Sequence, residues 1–143
     1  MSERALVIEP EPPIAKLLAL LLRREFGFDV VTTRTITEGV SAMREGLFKA
    51  VIADISISAD GIAELTAETR KQKSGVVVLT TGRIDRGTLE LFVSDDVYAV
   101  FPKPFDIDEV MSSLRDAIEF AQAGSTIAAR LHGFLKDRLK QES

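Results

Sequence analysis

The chain has 143 residues, which suits a single domain of ordinary size built around one core. It carries 18 Lys and Arg against 22 Asp and Glu, a net charge of −4, so we expect no nucleic-acid partner and no acidic membrane surface. The absence of cysteine excludes disulfides and thiolate metal sites, and the start of the chain has no long apolar stretch, which predicts a cytoplasmic protein.

The first two predicted elements are a strand and a helix. Residues Ala5 to Glu9 form a short apolar run that predicts a buried strand, and the prolines that follow stop it and offer a fixed φ for a helix start. The helix is predicted from apolar residues at helical spacing, and Phe26-Gly27 closes the pattern with a glycine that suits a left-handed cap. These apolar residues are Ile14, Leu17, Leu18, Leu21 and Leu22.

The alternation of strand and helix then continues. Asp29 to Thr32 is predicted as a second strand, and the segment from Ile36 to Gly46 has the spacing of a helix. Ala50 to Asp54 is predicted as a third strand, followed by a polar loop and a helix from about Ile62 to Gln72.

The second half of the chain repeats this pattern. Val76 to Thr80 is an unbroken β-branched run and predicts a central parallel strand. Leu89 to Val93 favours a short helix, and Tyr98 to Phe101 a fifth strand. Asp106 and Glu109 have the spacing of a capping box at the start of another helix. The apolar stripe of that helix is Met111, Leu114, Ile118 and Phe120.

Five alternations of strand and helix in a chain of this length predict an α/β fold with a doubly wound, five-stranded parallel sheet. We expect residues 1–123 to form this domain and residues 124–143 to form a C-terminal helical extension. The extension has an apolar stripe that must be buried, on its own domain, in a dimer or against a partner. The stripe is Ile127, Leu131, Phe134, Leu135 and Leu139.

Four of the predicted strands end in a polar residue or are followed by one within two residues. These residues are Glu9, Asp54, Thr80 and Lys103. Parallel strands place their carboxyl ends at one edge of the sheet, and open α/β sheets bind ligands in the crevice beyond that edge. We therefore expect the chemistry of the protein at this edge.

The order of these residues resembles the receiver domains of two-component response regulators, the bacterial phosphorelay modules, over about Arg4 to Phe120. The resemblance rests on Glu9-Pro10 after the first strand, Asp54 after the third, Thr80 after the fourth and Lys103-Pro104 after the fifth. It implies a flavodoxin-like receiver fold. It also implies that Asp54 is the phosphoacceptor, that Lys103 pairs with the acyl phosphate and that Thr80 is the switch residue.

The resemblance further implies a Mg²⁺ cofactor, because a carboxylate that attacks a phosphoryl group needs cations to neutralise the phosphoryl oxygens. The implied metal ligands are Glu9, Asp54 and the backbone carbonyl of Ser56. The resemblance also implies a cis bond between Lys103 and Pro104, an isomer that proline makes accessible.

The sequence departs from the family pattern at the acidic pair. The second acidic position is Pro10, which has no side-chain oxygen. The first is Glu9, whose extra methylene carries its carboxylate about 1.5 Å further. Glu11 is close in sequence but is expected to face a different way, and a short loop after Asp54 puts the Ser56 ligand in doubt. We therefore expect Mg²⁺ binding to be weak or absent.

The aromatic switch position of the family aligns with Val100. Phe101 is its neighbour, but successive side chains of a strand face opposite sides of the sheet. We therefore expect that Phe101 does not replace the missing aromatic residue.

The resulting prediction is a stand-alone, atypical receiver module that is not an enzyme and acts through protein contacts. Its expected partners are a sensor histidine kinase or a phosphotransfer protein, a downstream protein target and, as an open alternative, a second copy of itself. A phosphorylation-independent pseudo-receiver scaffold is the main alternative.

Two other functional classes fit less well. Hydrolases that form an aspartyl phosphate usually have a second aspartate two residues after the first, where this chain has Ser56. A flavodoxin-like cofactor site would need free backbone amides after the first strand. Here that segment is acidic and rich in proline, from Glu9 to Pro13.

Overall fold

The fold is an α/β arrangement, described from a computed structural model for residues 3–54, 59–72, 76–81 and 99–122. The strands are β1 (Arg4–Ile8), β2 (Asp29–Thr33), β3 (Ala50–Asp54), β4 (Val76–Thr81) and β5 (Ala99–Pro102). The helices are α1 (Pro12–Phe26), α2 (Ile36–Glu45), α3 (Ala59–Gln72) and α4 (Ile107–Gln122). The short helix predicted at 89–93, residue Ser56 and the extension predicted at 124–143 lie outside the described residues.

The five strands form one parallel sheet in the order β2-β1-β3-β4-β5. This confirms the predicted five-stranded, doubly wound arrangement. Ile8 is paired with Ala53, and Asp54 with Thr80, so the carboxyl ends of β1, β3 and β4 lie side by side. Since the chain reverses its direction of strand addition between β1 and β3, this edge is the topological switch point at which such sheets form a crevice.

The core lies on both faces of the sheet. Alternate residues of β1, β3 and β5 point to α1 and α4 and form one buried cluster with them. Its members from the strands are Ala5, Val7, Ala50, Ile52, Ala99 and Phe101. Helix α2 covers the opposite face and lies close to β1. The approach is so close that a Cβ on Gly39 would collide with the side chain of Ile8. Glycine is required there by the close approach.

The helix ends follow from local chemistry. Gly27 adopts φ 72°, ψ 20° and donates its backbone N–H to the carbonyl of Arg23 at 3.0 Å, while Phe28 donates its backbone N–H to the carbonyl of Leu22 at 3.5 Å, which closes α1 as predicted. Thr35 caps α2 by accepting the backbone N–H of Glu38 at 3.1 Å. In α4, Asp106 accepts the backbone N–H of Asp108 at 2.9 Å.

Helix α3 differs from its predicted start. It begins at Ala59, whereas the sequence predicted a loop up to about Ile62. The polar character of Asp60 and the glycine after it favoured a loop, but an aspartate in the first turn of a helix is stabilised by the helix dipole. Within the described residues, no helix has the length and apolar character needed to cross a membrane.

Candidate functional site

Asp54 is the last residue of β3 and lies at the carboxyl edge of the sheet. Every residue of β3 is buried, and Asp54 itself is only 2 % exposed. Burial of a carboxylate is costly unless it is paired with a cation or accepts hydrogen bonds. The position therefore needs a cation nearby.

Glu9 follows β1 directly and is also 2 % exposed. Its backbone N–H donates to the carbonyl of Thr33 at 2.9 Å, which extends the pairing between β1 and β2 by one more bond. Its side-chain Oε2 accepts the backbone N–H of Glu11 at 3.0 Å. The carboxylate is thus held at the same edge of the sheet as Asp54, one strand away.

Lys103 supplies the cation at this edge. It follows β5, and its bond to Pro104 is cis, as the resemblance implies. Its Nζ donates to Asp54 Oδ2 at 2.9 Å and to Glu9 Oε2 at 3.0 Å. Glu9 Oε1 lies 2.7 Å from the same Nζ but accepts no hydrogen bond of good geometry. One ammonium therefore bridges the ends of β1 and β3.

Glu11 joins this cluster, which corrects the expectation that it faces a different way. Its Oε2 accepts a hydrogen bond from Lys103 Nζ at 3.1 Å. Glu11 is the residue that precedes α1, with an extended backbone at φ −92° and ψ 110°, and its side chain forms no cap hydrogen bond with the helix. Glu9 and Glu11 therefore both reach Lys103 from the segment that joins β1 to α1, which bends at Pro10 and Glu11.

The electrostatics of the cluster centre on Lys103. Partial burial acts to lower its pKa, but the hydrogen bonds to Glu9, Asp54 and Glu11 act in the opposite direction and outweigh burial. The pKa of Lys103 therefore lies above the ordinary lysine value of 10.5. The side chain stays charged at neutral pH and acts as a fixed cation, so it cannot serve there as a proton acceptor.

The structure describes the other predicted site residues less completely. Thr80 is paired with Asp54 in the register of β3 and β4, so its backbone lies at the same edge. Ser56 falls outside the described residues. Val100 and Phe101 are both buried, and Phe101 packs with α1 and α4 in the core cluster that does not include Val100. Phe101 therefore faces away from the side expected for the family's aromatic switch.

The donor chemistry of the cluster suits magnesium only in part. Carboxylate oxygens are the ligands that this ion prefers. The buried Oε1 of Glu9 accepts no hydrogen bond and is therefore available as a ligand. Across residues 3–54, 59–72, 76–81 and 99–122, however, no group of three or more His, Cys, Asp or Glu side chains has a geometry that could hold a metal ion. The three carboxylates converge on Lys103 instead. As arranged, the site does not fit the ion.

A family comparison decides the identity of this arrangement. The family model described as the response regulator receiver domain matches residues 5–115. The chain belongs to the response regulator receiver domain family. Receiver domains serve two-component signalling, and the sequence resemblance to them is thereby confirmed. The match includes every described residue of the site, from Glu9 to Lys103.

One curated relative of this receiver domain is the transcriptional regulatory protein YkoG of Bacillus subtilis (strain 168). The two are 33 % identical over 118 residues, which cover 79 % of this chain and 50 % of YkoG. This chain therefore spans about half the length of that relative.

Two solved structures share the receiver fold. A CheY-like response regulator receiver domain from Methanospirillum hungatei JF-1 has a TM-score of 0.77 at 16 % identity and covers 87 % of this chain and 100 % of that one. A response regulator from Burkholderia pseudomallei, with a phosphorylated aspartic acid, a calcium ion and citrate, has a TM-score of 0.69 at 21 % identity, with coverage of 86 % and 72 %. These likenesses concern the fold.

Proposed function

We propose that this protein is an atypical receiver module of a phosphorelay, in which Asp54 accepts the phosphoryl group and Mg²⁺ dependence is weakened. The observation that carries the proposal is the pairing of Lys103 Nζ with Asp54 Oδ2 at 2.9 Å, at the carboxyl edge of the sheet. Receiver chemistry requires this combination of a buried carboxylate and a fixed cation at one edge of the sheet.

The proposed reaction transfers a phosphoryl group from a donor molecule to the carboxylate of Asp54. A carboxylate oxygen of Asp54 attacks the phosphorus of a phosphohistidine or of a small acyl phosphate, and a P–O bond forms as the bond from phosphorus to the donor breaks. The leaving imidazole or carboxylate keeps the electron pair. Negative charge on the transferred oxygens needs a cation that is already in place, and Lys103 supplies it within reach of Asp54. The product is an acyl phosphate on Asp54.

Weakened metal dependence follows from the composition of the acidic pair. Pro10 brings no oxygen, and the carboxylate that restores the number of acids, Glu11, is already bound to Lys103 at 3.1 Å. Magnesium would have to compete with the ammonium for Glu9, Glu11 and Asp54. Because a bound ion would sit close to Lys103, repulsion between the two cations raises the free energy of the loaded site.

The partners we propose are a sensor histidine kinase or a phosphotransfer protein upstream and a protein target downstream. A phosphorylated aspartic acid is present in the related Burkholderia pseudomallei structure, which supports phosphorylation as the input. We further propose that the module has no enzymatic output of its own, that it works in the cytoplasm and that Thr80 is its switch residue. Residues 124–143 are proposed as a helical extension outside the receiver domain.

The test is phosphorylation by acetyl phosphate, followed by intact-mass measurement and peptide mapping. Wild-type protein should gain one phosphoryl group on Asp54, and Asp54→Asn should gain none. Asp29→Asn, which changes an exposed aspartate at the opposite edge of the sheet, is the matched control and should behave as wild type. Addition of excess chelator should slow the wild-type reaction only modestly.

Two outcomes would contradict parts of the proposal. A strict requirement for magnesium at low millimolar concentration would remove the weakened metal dependence and leave Asp54 as acceptor. Absence of the phosphoryl group under all conditions would favour the pseudo-receiver scaffold. That second candidate is supported by the same cluster, because Lys103 bound to three carboxylates satisfies the site without phosphate.

A further inference from the structure

A second concave surface lies on the far side of β1 from Asp54. Helix α1 and the edge strand β2 enclose a groove of about 500 Å³. We call it the α1–β2 groove. Its helical side carries Lys16, Leu20 and Arg23, and its strand side carries Arg34.

The groove is basic in a protein that is acidic overall. Lys16, Arg23 and Arg34 are all exposed and line it, while the net charge of the chain is −4. No ion pair of these three side chains occurs within the part of the chain that the structure describes. Glu9 is the acidic residue of the lining, but it is buried and paired with Lys103, so it does not neutralise the three cations.

The spacing of the helical side defines what would fit. Lys16 and Arg23 are seven residues apart, which is two turns and about 10.5 Å along one face of an α-helix. Leu20 lies between them and is 48 % exposed. The order along the groove is therefore cation, apolar side chain, cation, with Arg34 as a third cation on the strand side.

We propose that the α1–β2 groove binds an acidic amphipathic helix of a partner protein. Two carboxylates seven residues apart on that helix lie against Lys16 and Arg23, and an apolar residue between them packs on Leu20. Helices commonly dock into grooves by contacts at this spacing. This surface is separate from the phosphoacceptor site, so the inference goes beyond the proposed function and does not depend on phosphorylation of Asp54.

Charge argues against the chain's own C-terminal segment as the occupant. The sequence from 124 to 143 contains four basic residues and two acidic ones. The basic residues are Arg130, Lys136, Arg138 and Lys140, and the acidic ones are Asp137 and Glu142. A basic segment is repelled by a basic groove, whereas an acidic helix is attracted to it.

The probe for the test is an acetylated, amidated, alanine-based peptide with two glutamates seven residues apart and a leucine between them. The control peptide has the same composition, but its glutamates are five residues apart, which places them on different faces of the helix. Fluorescence anisotropy at low salt measures both affinities. We expect the first peptide to bind at least about ten-fold more tightly than the second, and its binding to weaken as salt screens the charges.

Charge-reversal variants locate the contact. Arg23→Glu should weaken binding of the first peptide by about ten-fold or more, because it replaces an attraction by a repulsion. Arg24→Glu changes the same charge on the neighbouring exposed residue, which does not line the groove, and should leave binding within about two-fold. Arg23→Gln serves if Arg23→Glu does not fold, and should give a smaller loss in the same direction.

Several results would overturn the inference. They are absence of peptide binding to wild-type protein, equal binding of the two peptides, or equal losses in Arg23→Glu and Arg24→Glu. Displacement of the peptide by inorganic phosphate at low millimolar concentration would indicate a small-anion site instead. Concentration-dependent self-association that Arg23→Glu abolishes, measured by sedimentation, would assign the groove to a second copy of the chain.

Discussion

Lys103 Nζ lies 2.9 Å from Asp54 Oδ2, although 49 residues separate the two in the sequence. The contact exists because β3 and β5 flank β4 in one parallel sheet and both end at the same edge. The same Nζ also contacts Glu9 and Glu11, so the ammonium faces three carboxylates. The stability and the chemistry of this edge therefore depend on a single side chain.

Replacement of Lys103 by methionine should destabilise the protein. It leaves the buried Glu9 and Asp54 without their cation, and such a loss costs about 3 kcal/mol for well-buried partners. Lys49→Met is the matched control, because the ion pair that Lys49 forms among the described residues is with the exposed Glu3, at 3.4 Å, and its loss should cost less than about 1 kcal/mol. Urea unfolding of both variants measures the difference. Equal losses of unfolding free energy in the two variants would show that the contacts of Lys103 stabilise the protein no more than a surface ion pair does.

The contribution of Lys103 to stability should depend on pH in a defined direction. Its pKa in the folded protein lies above the ordinary value of 10.5, so folding favours the protonated form. The stabilisation is fully present below about pH 10 and is lost as pH rises through the folded pKa. The difference in unfolding free energy between wild type and Lys103→Met should thus be constant from pH 7 to 9 and should narrow above about pH 10.5. If this difference in unfolding free energy instead widened above that pH, protonated Lys103 would not be stabilised by the three carboxylates.

Restoring an acid at position 10 should strengthen magnesium binding. Pro10→Asp adds a carboxylate beside Glu9, and magnesium prefers such hard oxygen ligands. We expect binding tighter on the order of ten-fold, equivalent to about 1.4 kcal/mol. Pro10→Asn provides the control, because it removes the proline ring without adding charge. Calorimetric titration measures both variants, and an equal gain in each would mean that the ring, not the missing charge, limits binding.

Gly39→Ala should destabilise the fold by about 1 kcal/mol. The new Cβ would collide with the buried side chain of Ile8, and overpacking outweighs the gain in helix propensity. Gly46→Ala is the matched control, because its Cβ would meet only the end of the Arg4 side chain, which can move. In thermal unfolding, the Tm of Gly46→Ala should be close to that of wild type. A stabilised Gly39→Ala would show that α2 moves away from β1 without cost.

The sequence predicted the parts of the fold that local chemistry dictates. Apolar runs located all five strands, and the polar residues at their ends predicted that Glu9, Asp54 and Lys103 share one edge. The predicted start of α3 was wrong, because a polar segment next to a glycine suits either a loop or the first turn of a helix. Packing, which the sequence alone does not state, decides between them.

The orientation of Glu11 was the main error at the site. The chain bends at Pro10 and Glu11, between β1 and α1. This bend brings Glu11 to the same ammonium as Glu9. Local sequence patterns do not state where a bend directs a side chain, so the contact could not be predicted from the sequence.

The contact between Lys103 and Glu9 closes a loop of 94 residues. Closing so long a loop carries an entropic cost that only the completed sheet can offset. An emerging polypeptide that has not yet added its fifth strand holds Asp54 and Glu9 without their counter-ion. The contacts of Lys103 with Glu9 and Asp54 should therefore form late in folding, so an intact cluster at this edge indicates that the whole sheet has assembled.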